Sequence, residues 1–116
     1  MPKSFVISAA MLVLLSGGAA AHHGWSSYDS SRRMTIDGPV KHLHWENPHV
    51  HLRLDREGKE WEIVLAPITR MQLRGLSPDM LAHGTIVATE GYPSRRVDNE
   101  MRAERITVGG KVFELR

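Results

Sequence analysis

The fold is decided by residues 49–65, which read HVHLRLDREGKEWEIVL. Apolar side chains occupy alternate positions on both sides of a short polar turn, at Val50, Leu52, Leu54, Trp61, Ile63 and Leu65. This period of two predicts two strands with one buried face, and Arg56-Glu57-Gly58-Lys59 predicts the hairpin connection between them.

Further strands are indicated on both sides of this hairpin. Residues 35–45 form a strand pattern in which the apolar positions change parity between Val40 and Leu43, which predicts a β-bulge. Residues 67–74 predict a short helix, and strands are expected at 85–92, 100–108 and 111–115. We therefore predict an all-β fold with one short helix, a small closed or partly open barrel of five to six strands, of the oligonucleotide/oligosaccharide-binding (OB) type.

The first 21 residues have the pattern of a signal peptide. A basic start with Lys3 precedes an apolar run at 5–15, and small residues lead to Ala21. The run is shorter than the roughly 20 residues that cross a bilayer, so no transmembrane span is expected in the mature chain. We predict a periplasmic or secreted protein with a signal peptide at 1–21, an extended polar arm at 22–33 and an OB-like β-barrel domain at 34–116.

Composition narrows the classes of function. Cleavage after Ala21 would leave 95 of the 116 residues, which suffices for one small domain. The chain has no cysteine, so a metal would need nitrogen or oxygen ligands. Without Lys3, the 15 Lys and Arg fall to 14 against 13 Asp and Glu, and nucleic acid is not predicted as a partner.

The predicted cut creates a candidate metal site at the new terminus. The α-amino group and ring of His22 would form a chelate that suits copper, which one further imidazole would complete, and His23 offers a second chelate. A cut after Ala20 would instead place His23 third, where an amine, two amides and an imidazole surround Cu(II) or Ni(II). Alternatively, both histidines belong to a solvated start without a bound ion.

Four more histidines flank the predicted turn at Glu46-Asn47-Pro48, namely His42, His44, His49 and His51. Residues two apart on a strand share a face, so a hairpin would bring the two pairs onto neighbouring strands. Imidazoles bind copper, zinc and nickel, and Glu46 offers a further ligand or a carboxylate that orients a ring. The alternative is a solvated polar face, with the His49 ring packed on the turn.

Three other features have structural interpretations. The phase of Trp45 and Trp61 predicts core packing, whereas Trp25 in the arm is a candidate anchor that brings His22 towards the hairpin. His83 is predicted to be structural or exposed. Because no nucleophile is paired with a base and an oxyanion site, binding is favoured over catalysis.

Several motifs together resemble a known family. They are Ala21-His22-His23, Gly38-Pro39-Val40, Trp45-Glu46-Asn47-Pro48-His49, Glu90-Gly91-Tyr92 and Gly110-Lys111. The chain is similar in these positions to the domain of unknown function 6152 family, small secreted bacterial proteins with an Asn-Pro-His motif. It departs from that pattern at Gly24-Trp25, where Ser-Phe is frequent, and at Pro39. The resemblance covers the mature chain and implies export and a compact fold, without an activity.

We therefore predict an exported protein that binds a metal ion, with copper first and zinc or nickel as alternatives, for buffering, sensing or transfer. Its predicted ligands come from His22, His23, His42, His44, His49 and His51. Another envelope protein is a further predicted partner. The competing prediction is a metal-free OB-type module that binds a small ligand, a polysaccharide or an envelope protein.

Overall fold

The computed structural model describes residues 24–116, so the predicted leader, His22 and His23 lie outside the described residues. This part of the chain contains seven strands and one α-helix. In chain order they are β1 (Met34–Pro39), β2 (His42–His44), β3 (His51–Arg56), β4 (Lys59–Val64), α1 (Ile68–Leu73), β5 (Ile86–Pro93), β6 (Glu100–Val108) and β7 (Lys111–Glu114). The all-β prediction with one short helix is confirmed.

All seven strands belong to one mixed sheet, in the order β1-β5-β6-β4-β3-β2, with β7 added beside β6. Neighbouring strands are antiparallel except β4 and β6, which pair in parallel. Parallel strands need a crossover connection, and here α1 and β5 lie between them in the chain. The hydrogen-bonded ladder does not close, because β1 and β2 are its two ends.

The predicted bulge in the first strand is a break that creates two strands. Val40 and Lys41 lie outside the regular strands, and the chain changes partners there. The Val40 N–H donates to the Thr85 carbonyl, whereas the Lys41 N–H donates to the Arg53 carbonyl, each at 2.9 Å. The prediction of five to six strands is therefore wrong in number, because the strand at 35–45 cannot follow both neighbours without interruption.

The hairpin at 49–65 forms as predicted. Its turn places Glu57 at φ 51 and Gly58 at φ 78, the two positive values that a two-residue turn between twisted strands requires. Arg56 and Lys59 close the ladder as direct partners. The inward residues on both strands lie in the core, with Val50, Leu52, Leu54 and Ile63 fully buried.

The core lies on the inner face of the sheet and under α1, which contributes the buried Met71. Trp61 belongs to the core and Trp45 packs against it, as predicted. Strand β5 buries Val87 and leaves Ile86 exposed. Within residues 24–116, no helix has the length and apolar character needed to cross a membrane.

Strand β6 meets β5 through a shift in register between Glu90 and Gly91. The two strands approach so closely there that a β-carbon on Gly91 would lie 1.8 Å from the Arg102 carbonyl oxygen. Only glycine fits this contact. Arg102 is largely buried next to this irregularity, with 8% of the residue exposed.

Candidate functional site

A cleft of about 280 Å³ lies where β2 ends, the chain turns and β3 begins. We call it the histidine cleft, and its lining residues are His44, Glu46, Asn47, Pro48, His49, His51 and Glu62. Three of the predicted ligands, His44, His49 and His51, therefore share one cavity. The Asn47–Pro48 peptide bond in its wall is cis.

Strand register decides which histidines meet. His44 and His51 are direct partners across β2 and β3, whereas His42 lies opposite Arg53. The His42 ring contacts the His44 ring edge-to-face, with centroids 4.3 Å apart. The predicted sharing of a face by His42 and His44 is confirmed, but His42 is not among the residues that line the cleft.

A carboxylate holds the ring of His51. Its Nδ1 lies 2.8 Å from Oε1 of Glu62, and the other carboxylate oxygen of Glu62 accepts from Nε of Arg53 at 3.0 Å. A carboxylate on one ring nitrogen fixes the tautomer and the orientation of an imidazole, which is the usual arrangement behind metal-binding histidines. With Nδ1 engaged, Nε2 is the ring nitrogen of His51 available for a ligand.

His49 connects the cleft to the buried Arg102. Its Nε2 lies 3.5 Å from Nη2 of Arg102. A guanidinium only donates, so Nε2 is the acceptor in this contact and the ring hydrogen lies on Nδ1, which leaves His49 no lone pair for a cation while the contact holds. His44 and His51 are consequently the better placed pair of imidazoles.

The Arg102 guanidinium lies between His49 and the N-terminal arm. The Trp25 ring is 4.3 Å from Cζ of Arg102 and 4.4 Å from Cζ of Arg116, and its edge meets Tyr92. Burial lowers the pKa of Arg102 from the usual range of a guanidinium. The charge of Arg102 faces the Trp25 ring, and aromatic faces attract cations.

The arm is held next to Trp25 by Tyr28, which is 2% exposed. The Tyr28 hydroxyl donates to Oε2 of Glu100 at 3.0 Å, and its backbone bridges to Ser94. Burial, with the neighbouring Glu100 carboxylate, raises the pKa of the Tyr28 phenol. The Arg102 guanidinium therefore lies between Trp25, in this anchored arm, and His49.

The turn that carries the cleft is tied to the helix. Oδ1 of Asn47 accepts from the Ile68 N–H at 3.2 Å, in the first turn of α1. The two backbone bonds between Val50 and the segment at 65–66 continue this attachment. The cleft wall is therefore fixed to the core on both sides of Pro48.

The other histidines have different outcomes. His83 is exposed in the connection before β5, as predicted, and His22 and His23 lie outside the described residues. Among residues 24–116, no three histidine or carboxylate side chains are arranged to hold a metal ion. The described part of the cleft offers two well-placed imidazoles and lacks a complete coordination shell.

Sequence reasoning missed two residues of the site. Glu62 was detectable, because the two-residue turn fixes its pairing with Arg53 and places it diagonally from His51. Arg102 had no such signal. It lies between two other buried residues, Met101 and Ala103, in a strand where a charge ordinarily marks a solvated position.

Comparisons with known proteins give a family and a fold. A family model described as a family of unknown function (DUF6152) matches residues 10–103. No curated protein matches the chain.

Two solved structures of TiaS resemble the chain, both with a TM-score of 0.52 and 16% identity. One is a complex of TiaS with an isoleucine tRNA and ATP, and the match covers 70% of this chain and 19% of that one. The other is a ZRD-deleted mutant with agmatine, with 75% and 27% covered. The chain thus spans about a fifth to a quarter of these proteins, and the likeness concerns the fold alone.

Proposed function

The chain belongs to the DUF6152 family, a family of unknown function, and we propose from its histidine cleft that it is an exported metal-binding protein with copper as its ion. The observation that carries the proposal is the cross-strand pair His44 and His51 in one cleft, with the His51 ring oriented by Glu62. In the proposed site both imidazoles bind the ion, and His49 keeps its contact with Arg102.

The missing ligands come from the processed terminus. Trp25 lies against Arg102, and Arg102 contacts His49, so the described chain begins beside the cleft. Trp25 is the third residue after His22, and three residues of extended chain span about 10 Å. We propose that the terminal amine and ring of His22 use this length of chain to meet His44 and His51, with His23 as the alternative donor.

Copper is the ion that this donor set favours. Nitrogen-only sites bind divalent copper more tightly than zinc or nickel, and a terminal amine with imidazoles provides such a site. Export is part of the proposal, because the amine of His22 exists only after cleavage following Ala21. Buffering, sensing or transfer of the ion requires coordination and ligand exchange, with no further catalytic group.

For the fold, we infer a partly open barrel of the OB type. The two ends of the ladder, β1 and β2, are consecutive in the chain, and Val40 and Lys41 between them donate to opposite neighbours. The parallel pairing of β4 with β6 supports the same arrangement. Such a barrel would present the turn at Asn47-Pro48 at one open end.

The experiment is a titration of exported protein with Cu(II), after mass measurement of its N-terminus. Electron paramagnetic resonance then counts the coordinated nitrogens in the purified protein and in His44→Ala and His51→Ala variants. The proposal expects an N-terminus at His22 and loss of nitrogen ligands in both variants. An intact leader, or an unchanged spectrum in both variants, contradicts it and favours the metal-free binding module.

A further inference from the structure

A second cavity, of about 330 Å³, lies on the molecule away from the histidine cleft. We call it the basic groove, and its lining residues are Arg32, Met34, Arg56, Lys59, Trp61, Pro93, Ser94 and Asp98. It shares none of its lining residues with the histidine cleft. Three cationic side chains face one carboxylate in it, so the lining has an excess of positive charge.

The single carboxylate is already engaged. Nζ of Lys59 donates to Oδ2 of Asp98 at 2.9 Å and to the Asp98 carbonyl at 3.3 Å, and it lies 4.9 Å above the Trp61 ring. This bond lowers the pKa of the Asp98 carboxyl, so the group is ionised at neutral pH. Asp98 thus compensates Lys59 and leaves the charges of the two arginines.

Within residues 24–116, no carboxylate oxygen lies within ion-pair distance of Arg32 or Arg56, unlike Arg33, Lys41 and Arg53. The charge of Arg32 contributes at longer range to the lowered pKa of the Asp29 carboxyl. Backbone hydrogen bonds and strand pairing hold the main chain at both arginines. Arg32 lies two residues before β1, and its N–H donates to the Asp29 carbonyl at 3.1 Å. Arg56 ends β3 opposite Lys59 in the hairpin. Two guanidinium groups from separate segments therefore line one cavity.

The other walls suit an organic ligand. Oγ of Ser94 accepts from the backbone N–H groups of Arg96 and Val97, which leaves the Ser94 hydroxyl hydrogen as a donor. Met34 and Trp61 supply apolar surface. The volume equals that of about ten water molecules, which is enough for a molecule of the size of a hexose.

We propose that the basic groove binds a small organic anion, whose carboxylate or phosphate group is held by Arg32 and Arg56. Guanidinium groups match the planar oxygens of such anions with paired hydrogen bonds, which ammonium groups do not. Lys59 lies beside them with its charge compensated by Asp98. This binding does not depend on a metal in the histidine cleft.

The test uses glucuronate and glucose 6-phosphate as probes, with glucose as the uncharged control, and follows backbone amide shifts of the metal-free protein by NMR. We expect shifts around Lys59 and Ser94 with either or both anions and none with glucose. The anion that binds more tightly identifies carboxylate or phosphate as the preferred group. High salt should weaken the binding, because it screens exposed charges.

The variants Arg32→Gln and Arg56→Gln should each weaken binding at least about tenfold. Arg96→Gln is the matched control, because Arg96 is exposed, carries the same charge and does not line the groove. It should bind like the unmodified protein. Equal affinity in all three variants, or no binding of either anion at concentrations of about 10 mM, overturns the proposal.

Discussion

Nδ1 of His51 and Oε1 of Glu62 lie 2.8 Å apart, on adjacent strands and diagonally across the hairpin. The carboxylate is itself held by Arg53. Rotation of the His51 ring would break this contact, so its second nitrogen is kept in one direction. The hairpin that decides the fold thus also orients the imidazole on which the metal proposal rests.

Removal of the Glu62 carboxylate should weaken copper binding without removing a ligand. In Glu62→Gln the His51 ring loses its charged partner, and such outer partners change metal affinity by about 10- to 100-fold. Competition titration of Cu(II) measures the loss, which should be smaller than that in His51→Ala.

His83→Ala is the control for this comparison, because His83 is exposed and does not line the cleft. It should bind copper like the unmodified protein. An affinity in Glu62→Gln equal to that of the control would show that the contact with His51 has no part in binding.

Arg102 should matter more for stability than Arg116, although both contact Trp25. Arg102 is largely buried and also meets Tyr28 and His49, whereas the Arg116 side chain is about half exposed. We expect Arg102→Ala to lower the free energy of unfolding by about 2 kcal/mol and Arg116→Ala by about 0.5 kcal/mol. Chemical denaturation followed by tryptophan fluorescence tests this, and equal losses would contradict it.

Gly91 should not tolerate a side chain. A β-carbon there would lie 1.8 Å from the Arg102 carbonyl oxygen and 2.8 Å from Cα of Ala103, so β5 and β6 would have to separate. We expect Gly91→Ala to lower the free energy of unfolding by more than about 3 kcal/mol or to prevent folding. Gly24→Ala, where the new carbon meets only ordinary contacts, should stay within about 0.5 kcal/mol. Similar melting of the two variants would refute this.

Glu104 should contribute to acid sensitivity. Burial pushes its pKa up, but bonds from Arg33 and Tyr92 outweigh that effect, so the pKa of the folded protein lies below the usual range. The stabilisation is therefore complete above the unfolded pKa of about 4.3 and is lost as the pH falls through the lower folded value.

Since Arg33 is partly exposed, solvent limits this contribution to at most about 1 kcal/mol. Unfolding measured between about pH 6 and pH 3 should show a shallower decline in Glu104→Gln than in the unmodified protein. Glu57→Gln, on the exposed hairpin turn, should follow the unmodified protein. Parallel curves for all three proteins would exclude the Glu104 contribution.

The sequence predicted the parts of the fold that depend on local patterns. Alternation at 49–65 predicted the central hairpin, and Gly75, at φ 94, marks the end of α1 as expected. In the sequence, the break at Val40 was visible only as a change in the alternation of apolar positions between Val40 and Leu43. Its cause is non-local, because Val40 and Lys41 bond to residues far along the chain.

In the candidate site, too, the sequence predicted the features that depend on local patterns and missed those that depend on distant contacts. A hairpin around Asn47-Pro48 predicts that the two histidine pairs lie on neighbouring strands. Which residues are direct partners, His44 with His51 and His42 with Arg53, depends on the register, which the turn residues alone do not determine. The contact between Arg102 and His49 joins residues 53 positions apart. No periodicity reports such a contact.

The most direct test of the metal proposal compares two protein preparations that differ by one residue at the N-terminus. One begins with an authentic His22, and the other carries an additional residue before it, which removes the terminal amine from the chelate. Isothermal titration with Cu(II) should give about one tightly bound equivalent for the first and a much weaker affinity for the second. Equal, weak binding in both preparations would contradict the account.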